Sequence, residues 1–162
     1  MLRLTMFVRA RAKSDEAAVA EFLRPRHSEV VARLGRLERP LDHPALVAEA
    51  DGALAGVLTY VIAASACEIL TLHAAERGRG VGTALLDAVE SLARERGCRR
   101  LWVLTTNDNV DALRFYQRRG FTLSELYAGA TAAARDTLKP EIPHIGNHGI
   151  PIRDEIILEK PL

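Results

Sequence analysis

Two cysteines in 162 residues, Cys67 and Cys98, are too few for a disulfide framework and lack the paired spacing of a metal site. A reducing compartment is the expectation, and cytoplasm the expected location. An excess of charge of one sign is also missing. Twenty-two basic residues against 21 acidic ones leave a net charge of +1 with the histidines neutral, so nothing in the global charge calls for nucleic acid or an anionic membrane as partner. Nineteen of the 22 are arginines, scattered along the chain as a solvated surface would have them. No apolar run reaches the roughly 20 residues of a spanning helix. The uncharged stretch from Ala53 to Cys67 falls short of that, and its Val, Ile, Thr and Tyr content suits buried strands. In Met1 to Lys13 the apolar run is only a few residues long and is interrupted by Arg3 and Arg9, unlike a signal peptide. No repeat or low-complexity tract is present. The length suits one domain spanning residues 1–162, large enough to bury a core without crosslinks.

What is there reads as alternating strands and helices. A first strand is expected around Leu4 to Arg9, followed by a helix capped by Ser14 and running through Phe22 and Leu23, with Asp15 and Glu16 in its first turn. A second helical segment is expected from Ser28 to Leu34, ending at Gly35. Asp51-Gly52 is a hairpin turn pair between two apolar runs. A strand from Cys67 to Ala74 then leads to a glycine-punctuated turn and a long helix ending near Arg96, with Gly97 as its cap. Arg100 to Thr105 reads as a strand, Asn107 or Asp108 as the cap of a helix through Arg119, and Phe121 to Tyr127 as the returning strand. Ala128 to Lys139 is alanine-rich and suits a short helix. Lys139 to Pro151 is a proline- and glycine-marked loop, long enough to lie near a functional site or to be a surface crossover, and Ile152 to Leu158 is the last strand. The order is that of an α/β fold.

The turn, Arg77-Gly78-Arg79-Gly80-Val81-Gly82-Thr83, has the character of a pyrophosphate cradle. Glycine admits backbone angles closed to other residues and leaves room for a ligand, so successive N–H groups can converge on phosphate oxygens at a helix start. Three nucleotide-binding patterns fail here. A P-loop needs Gly-Lys-Ser/Thr after its first glycine and four further residues, but Thr83 stands at the second-glycine place and no lysine is near. A dinucleotide fingerprint lacks its third glycine, and the region of its ribose-binding acid holds Cys98, Arg99 and Arg100. A kinase glycine loop continues as a strand, whereas Val81, Leu85, Leu86, Ala88, Val89, Leu92 and Ala93 repeat at helical spacing.

Arg77, Gly80 and Gly82 form Arg-x-x-Gly-x-Gly, which resembles motif A of the Gcn5-related N-acetyltransferases (GNAT). Downstream, Asn109, Ala112, Phe115-Tyr116 and Gly120-Phe121 resemble that family's N-x-x-A-x-x-F/L-Y-x-x-x-G-F segment. The resemblance covers roughly Leu54 to Tyr127. It implies a mixed central sheet of about six to seven strands flanked by helices, with two splayed strands admitting the pantetheine of acetyl-CoA. Acetyl-CoA is then the implied co-substrate, with no metal. Its implied contacts are Leu72, His73 and Ala74 along the pantetheine, Arg77, Gly78, Arg79, Gly80, Val81, Gly82 and Thr83 around the pyrophosphate, and Asn109 and Tyr116 on the next helix.

Acetyl transfer from a thioester to an amine needs a base for the amine proton, a stabilised oxyanion and an acid for the departing thiolate. By the resemblance Tyr116 is the acid, and Glu68 is the candidate base, acting through water. The link from Ala74 to Arg77 is about two residues shorter than the family's usual turn, which leaves a second register open, with Glu68 a strand-edge side chain. His73 has the chemistry of a base near neutrality, but its place next to the turn suits backbone contacts to the pantetheine better. His144 and His148 share a His-x-x-x-His spacing without the cysteines or acids of a zinc site. The expected activity is direct transfer to a primary amine in a ternary complex, on a small molecule in preference to a protein, with a homodimer left open as an assembly. The rivals are transfer to a protein N-terminus or lysine, and an inactive acyl-CoA-binding regulatory or adaptor domain.

Overall fold

Asp51 and Gly52 both adopt left-handed angles, φ 51° and 80°. Paired positive φ values suit the two-residue turn that closes a twisted hairpin, here between β4 (Ala45–Ala50) and β5 (Ala53–Ala63). The structure is a computed structural model describing residues 5–162. The fold is α/β and comprises, among the described residues, a mixed sheet of seven strands, a separate two-stranded sheet and four α-helices. The chain divides into two compact units.

The first unit comprises residues up to Glu29, Arg39–Leu101 and the final Leu162. Its strands run in the order β1 (Met6–Ala10), β4, β5, β6 (Ala66–Ala74), all antiparallel. The expected first strand is β1; Leu4, its expected start, lies outside the described residues. The helix expected from Ser14 is α1 (Glu16–Leu23), and its cap is Asp15. Lys13–Asp15 forms a separate 3-10 turn, in which the Asp15 carboxylate accepts the Ala12 N–H at 2.6 Å and binds Arg9 through both oxygens, at 2.6 and 2.8 Å. The sheet is covered on both faces. Val57 packs fully buried with Val47 and with Val19 and Leu23 of α1. Its neighbour Gly56 points the other way, where an added Cβ would sit 2.5 Å from Val81 and 2.9 Å from Leu85 of α2 (Val81–Glu95). Helix α2 ends as expected: Gly97 takes φ 75°, its N–H donates to the Arg94 carbonyl, and the Cys98 N–H donates to that of Ala93.

The second unit comprises Val30–Glu38 and Trp102–Pro161. Its first segment overturns the helix expected over 28–34. Val31–Arg33 (β2) and Arg36–Glu38 (β3) form an antiparallel hairpin about Leu34-Gly35, at φ 47° and 77°. The β-branched Val30-Val31 pair favours strand, and Gly35 closes a turn here instead of ending a helix. The Leu34 N–H donates to the buried Glu155 carboxylate at 3.1 Å, and the Arg33 guanidinium lies 5.2 Å from the Trp102 ring centre. Burial raises the Glu155 pKa, while Leu34 and Arg33 act against that rise.

Strands β7 (Arg100–Thr106), β9 (Glu155–Pro161) and β8 (Thr122–Tyr127) follow in that order, with α3 (Val110–Gln117) and α4 (Ala130–Thr137) as the helices. The last strand starts three residues later than the expected Ile152, because the Asn107 side-chain oxygen takes the N–H groups of Arg153 and Asp154 before β9 begins. Among the described residues, no helix is long and apolar enough to cross a membrane.

Candidate functional site

In the first unit the candidate residues sit on β6 and on the turn it feeds. Opposite residues of an antiparallel pair share a face. His73, Thr71 and Glu68 stand opposite Val57, Thr59 and Val61, three alternate positions of β5, so all three share one face. Simple alternation along β6 would put Glu68 on the other side. A bulge, where the pairing steps from Thr71 to Ile69 as β5 advances by one residue, brings it across. Glu68 is buried in this position, at 5% exposure. It therefore stands on the face of Val57, the residue packed on α1, and is not an edge side chain in solvent. The Thr59 and Thr71 hydroxyls bond at 2.6 Å between them.

His73 Nε2 lies 2.8 Å from the hydroxyl of Ser28, a buried residue just after α1, and that hydroxyl also reaches the Arg26 carbonyl. Burial, with the Arg26 charge second, lowers the His73 pKa to about 4. His73 is thus a neutral imidazole at physiological pH. Arg26 itself stacks on Phe22, 3.8 Å from its ring centre. Ser28 escaped the sequence reading because it is 45 residues from His73, and no local pattern joins them.

Past Ala74 the chain turns through two left-handed glycines, Gly78 at φ 77° and Gly80 at φ 78°, and Gly80 is the N-cap of α2. Neither glycine is crowded by the chain itself, since an added Cβ would meet no protein atom within 4 Å. The backbone angle is what requires them. Residues 77–80 are exposed, Val81 is buried, and Arg79 pairs with Glu76 at 2.7 Å. The Ala84 N–H is bonded to the Gly80 carbonyl. In an α-helix the amides ahead of that point have no acceptor within the helix, and they carry the positive end of its dipole. Leu72, His73 and Ala74 pair with Leu58, Val57 and Gly56 on the β5 side.

In the second unit Asn109 is the N-cap of α3, accepting the Ala112 N–H at 3.2 Å. This corrects the expected cap at Asn107 or Asp108, both of which hold the long loop. Seven residues on, two helical turns, stands Tyr116, 5% exposed. Its ring is met edge-on by Phe115 and Phe121, with centres 5.2 and 5.1 Å away. Gly120, at φ 93°, stops the helix, and the Phe121 N–H returns to the Tyr116 carbonyl, which brings Phe121 onto the tyrosine. Burial holds the Tyr116 phenol well above its ordinary pKa, so it stays protonated across the physiological range. Among the described residues, no group of three or more His, Cys, Asp or Glu side chains could hold a metal ion.

The family model described as "Acetyltransferase (GNAT) family" matches residues 11–121. The uncharacterized protein YxbD of Bacillus subtilis (strain 168) is 45% identical over 112 residues, covering 69% of this chain and 70% of its own length. Streptothricin acetyltransferase of Streptomyces lavendulae is 33% identical over 102 residues, 58% of this chain and 54% of its own length. A crystal structure of an acetyltransferase from Elizabethkingia anophelis with acetyl-CoA bound superposes with a TM-score of 0.69 at 18% identity, covering 97% of this chain and 98% of that one.

Proposed function

The chain belongs to the GNAT acetyltransferase family, and on that premise we propose that it moves the acetyl group of acetyl-CoA to a primary amine of a small molecule, by direct attack in a ternary complex. We read residues 1–162 as one catalytic domain. Acetyl-CoA as donor is supported by the bound cofactor of the Elizabethkingia structure and by the two left-handed glycines at the start of α2. In this reading the α2 amides and Arg77 receive the pyrophosphate, and Leu72 to Ala74 flank the pantetheine. The streptothricin acetyltransferase likeness favours a small-molecule acceptor over a protein. Two free, buried cysteines agree with a cytoplasmic setting.

The observation that carries the mechanism is Tyr116: a phenol whose ring is fixed by Phe115 and Phe121 and whose proton burial retains. Glu68, directly or through water, takes a proton from the incoming ammonium. The amine lone pair attacks the thioester carbonyl, and a C–N bond forms as the C–S bond breaks. The sulfur leaves with the bonding electrons and takes a proton from Tyr116, while the nitrogen gives up its second proton as the amide forms, and that proton restores the Tyr116 phenol through water. His73, hydrogen-bonded to Ser28, stands on the same face of the sheet as Glu68.

Thiol release from acetyl-CoA over an amine panel tests this reading, with Tyr116→Phe beside the wild type. The variant should lose about 10²-fold in kcat, with the KM for acetyl-CoA within about twofold. Turnover unchanged in the variant would remove Tyr116 from the mechanism. Binding of CoA without turnover on any amine would favour the inactive acyl-CoA-binding domain instead.

A further inference from the structure

The 139–151 segment is a built element. Its far half folds into a small hairpin: the Ile152 N–H donates to the His144 carbonyl, Ile145 bridges Pro151, and the Gly146 N–H donates to the Ile150 carbonyl. The tip, Asn147–Gly149, is a 3-10 turn in which His148 is held at φ 59°, a left-handed angle that a non-glycine residue keeps only when its surroundings impose it. Arg135, 8% exposed on α4, clamps the base of the segment through the carbonyls of Ile142, Pro143 and Ile152 at 2.6 to 2.9 Å.

The tip is gripped by Asp108, which is 3% exposed and directly precedes the Asn109 cap of α3. One of its oxygens accepts the backbone N–H and the side-chain amide of Asn147, at 3.0 and 3.1 Å. The other accepts the hydroxyl of Thr106, the last residue of β7. Gly146 is shaped to this contact: its φ of −108° is open to any residue, but an added Cβ would lie 2.1 Å from the Asp108 carboxylate and 2.6 Å from Ile152. A buried carboxylate thus ties the end of a strand, the entrance of a helix and the tip of a strained hairpin. The helix is eight residues long. Moving its first turn moves Tyr116.

We propose that Asp108 is a positioning residue for acetyl transfer, which grips the 144–152 hairpin at Asn147 and so fixes the entrance and orientation of the helix that carries Tyr116. The proposal rests on the reading of Tyr116 as the acid. It makes the Gly146–Asn147 pair part of the same device, approached from the loop side.

A mutant cycle in kcat tests it. Asp108→Ala and Gly146→Ala, made separately, should each lower kcat about tenfold or more, since a misplacement of the order of an ångström costs that much. Asn147→Ala removes only the side-chain half of the grip, keeps the backbone bond and should cost less, so it reports even if the other variants fold poorly. Asp108→Asn retains one of the two acceptor oxygens and should recover part of the loss. The deciding readout is the double variant: in a Tyr116→Phe background, Asp108→Ala and Asn147→Ala should cost less than twofold, because the group they position is gone. Losses that multiply in full would overturn the proposal and leave a structural role. A Tyr116→Phe loss with Asp108→Ala and Asn147→Ala at wild-type kcat would overturn the grip alone. A Tyr116→Phe variant at wild-type rate would overturn both readings.

Discussion

At the scale of single residues, chemistry here is set by what buries each group. Tyr116 was legible because a phenol in an F-Y-x-x-x-G-F pattern resembles a known segment, and Glu68 because it opens the strand. Neither environment was legible. The Tyr116 phenol keeps its proton because it is buried, and its ring is met by two aromatic rings, one of them five residues away across a left-handed glycine. His73 changed most: its neutrality follows from burial and from a nearby arginine contributed by the start of the chain. A pH dependence of stability follows. The folded pKa, about 4, is below the unfolded value of about 6.5, so between these values the unfolded chain binds the extra proton. Stability is fully present above about pH 6.5 and falls as pH drops toward 4, by up to about 3 kcal/mol from this group. Urea midpoints across pH 4–8 should show a fall in the wild type that is reduced in His73→Gln; parallel curves would mean that His73 is accessible in the folded chain.

At the scale of elements, the strongest sequence patterns became the elements that support the site. Asp51-Gly52, the apolar period of α2 and its Gly97 cap all agree with the structure. The 28–34 segment did not, because its apolar residues suit either period and the turn chemistry of Leu34-Gly35 decided for a hairpin. The β6 bulge was invisible, since it is a property of pairing with β5, yet it chooses the face on which Glu68 stands. Gly56 is the point where sheet packing meets the glycine turn, because its missing side chain lets Val81, the first residue of α2, seat on the sheet. Gly56→Ala should cost roughly 1–3 kcal/mol by overpacking. It should also weaken acetyl-CoA binding several-fold, measured by titration calorimetry on the folded fraction. An unchanged dissociation constant with the stability loss present would separate the α2 start from the cofactor.

At the scale of the whole molecule, a cofactor that binds only the folded chain raises its stability by mass action. At a hundredfold excess of acetyl-CoA over Kd the gain is about 2.7 kcal/mol, or roughly 5–10 °C in Tm for a chain of this size. Thermal unfolding with and without the cofactor measures it, and a flat response would argue against acetyl-CoA as donor. The sequence by itself determined the family and the α/β order, because glycine spacing, hydrophobic period and turn pairs are local consequences of backbone geometry. Tertiary structure alone decided which face Glu68 occupies, that Ser28 meets His73, and that Asp108 holds a hairpin 39 residues away. Those contacts depend on strand register and burial, which bring together residues whose neighbours in the chain carry no record of the meeting.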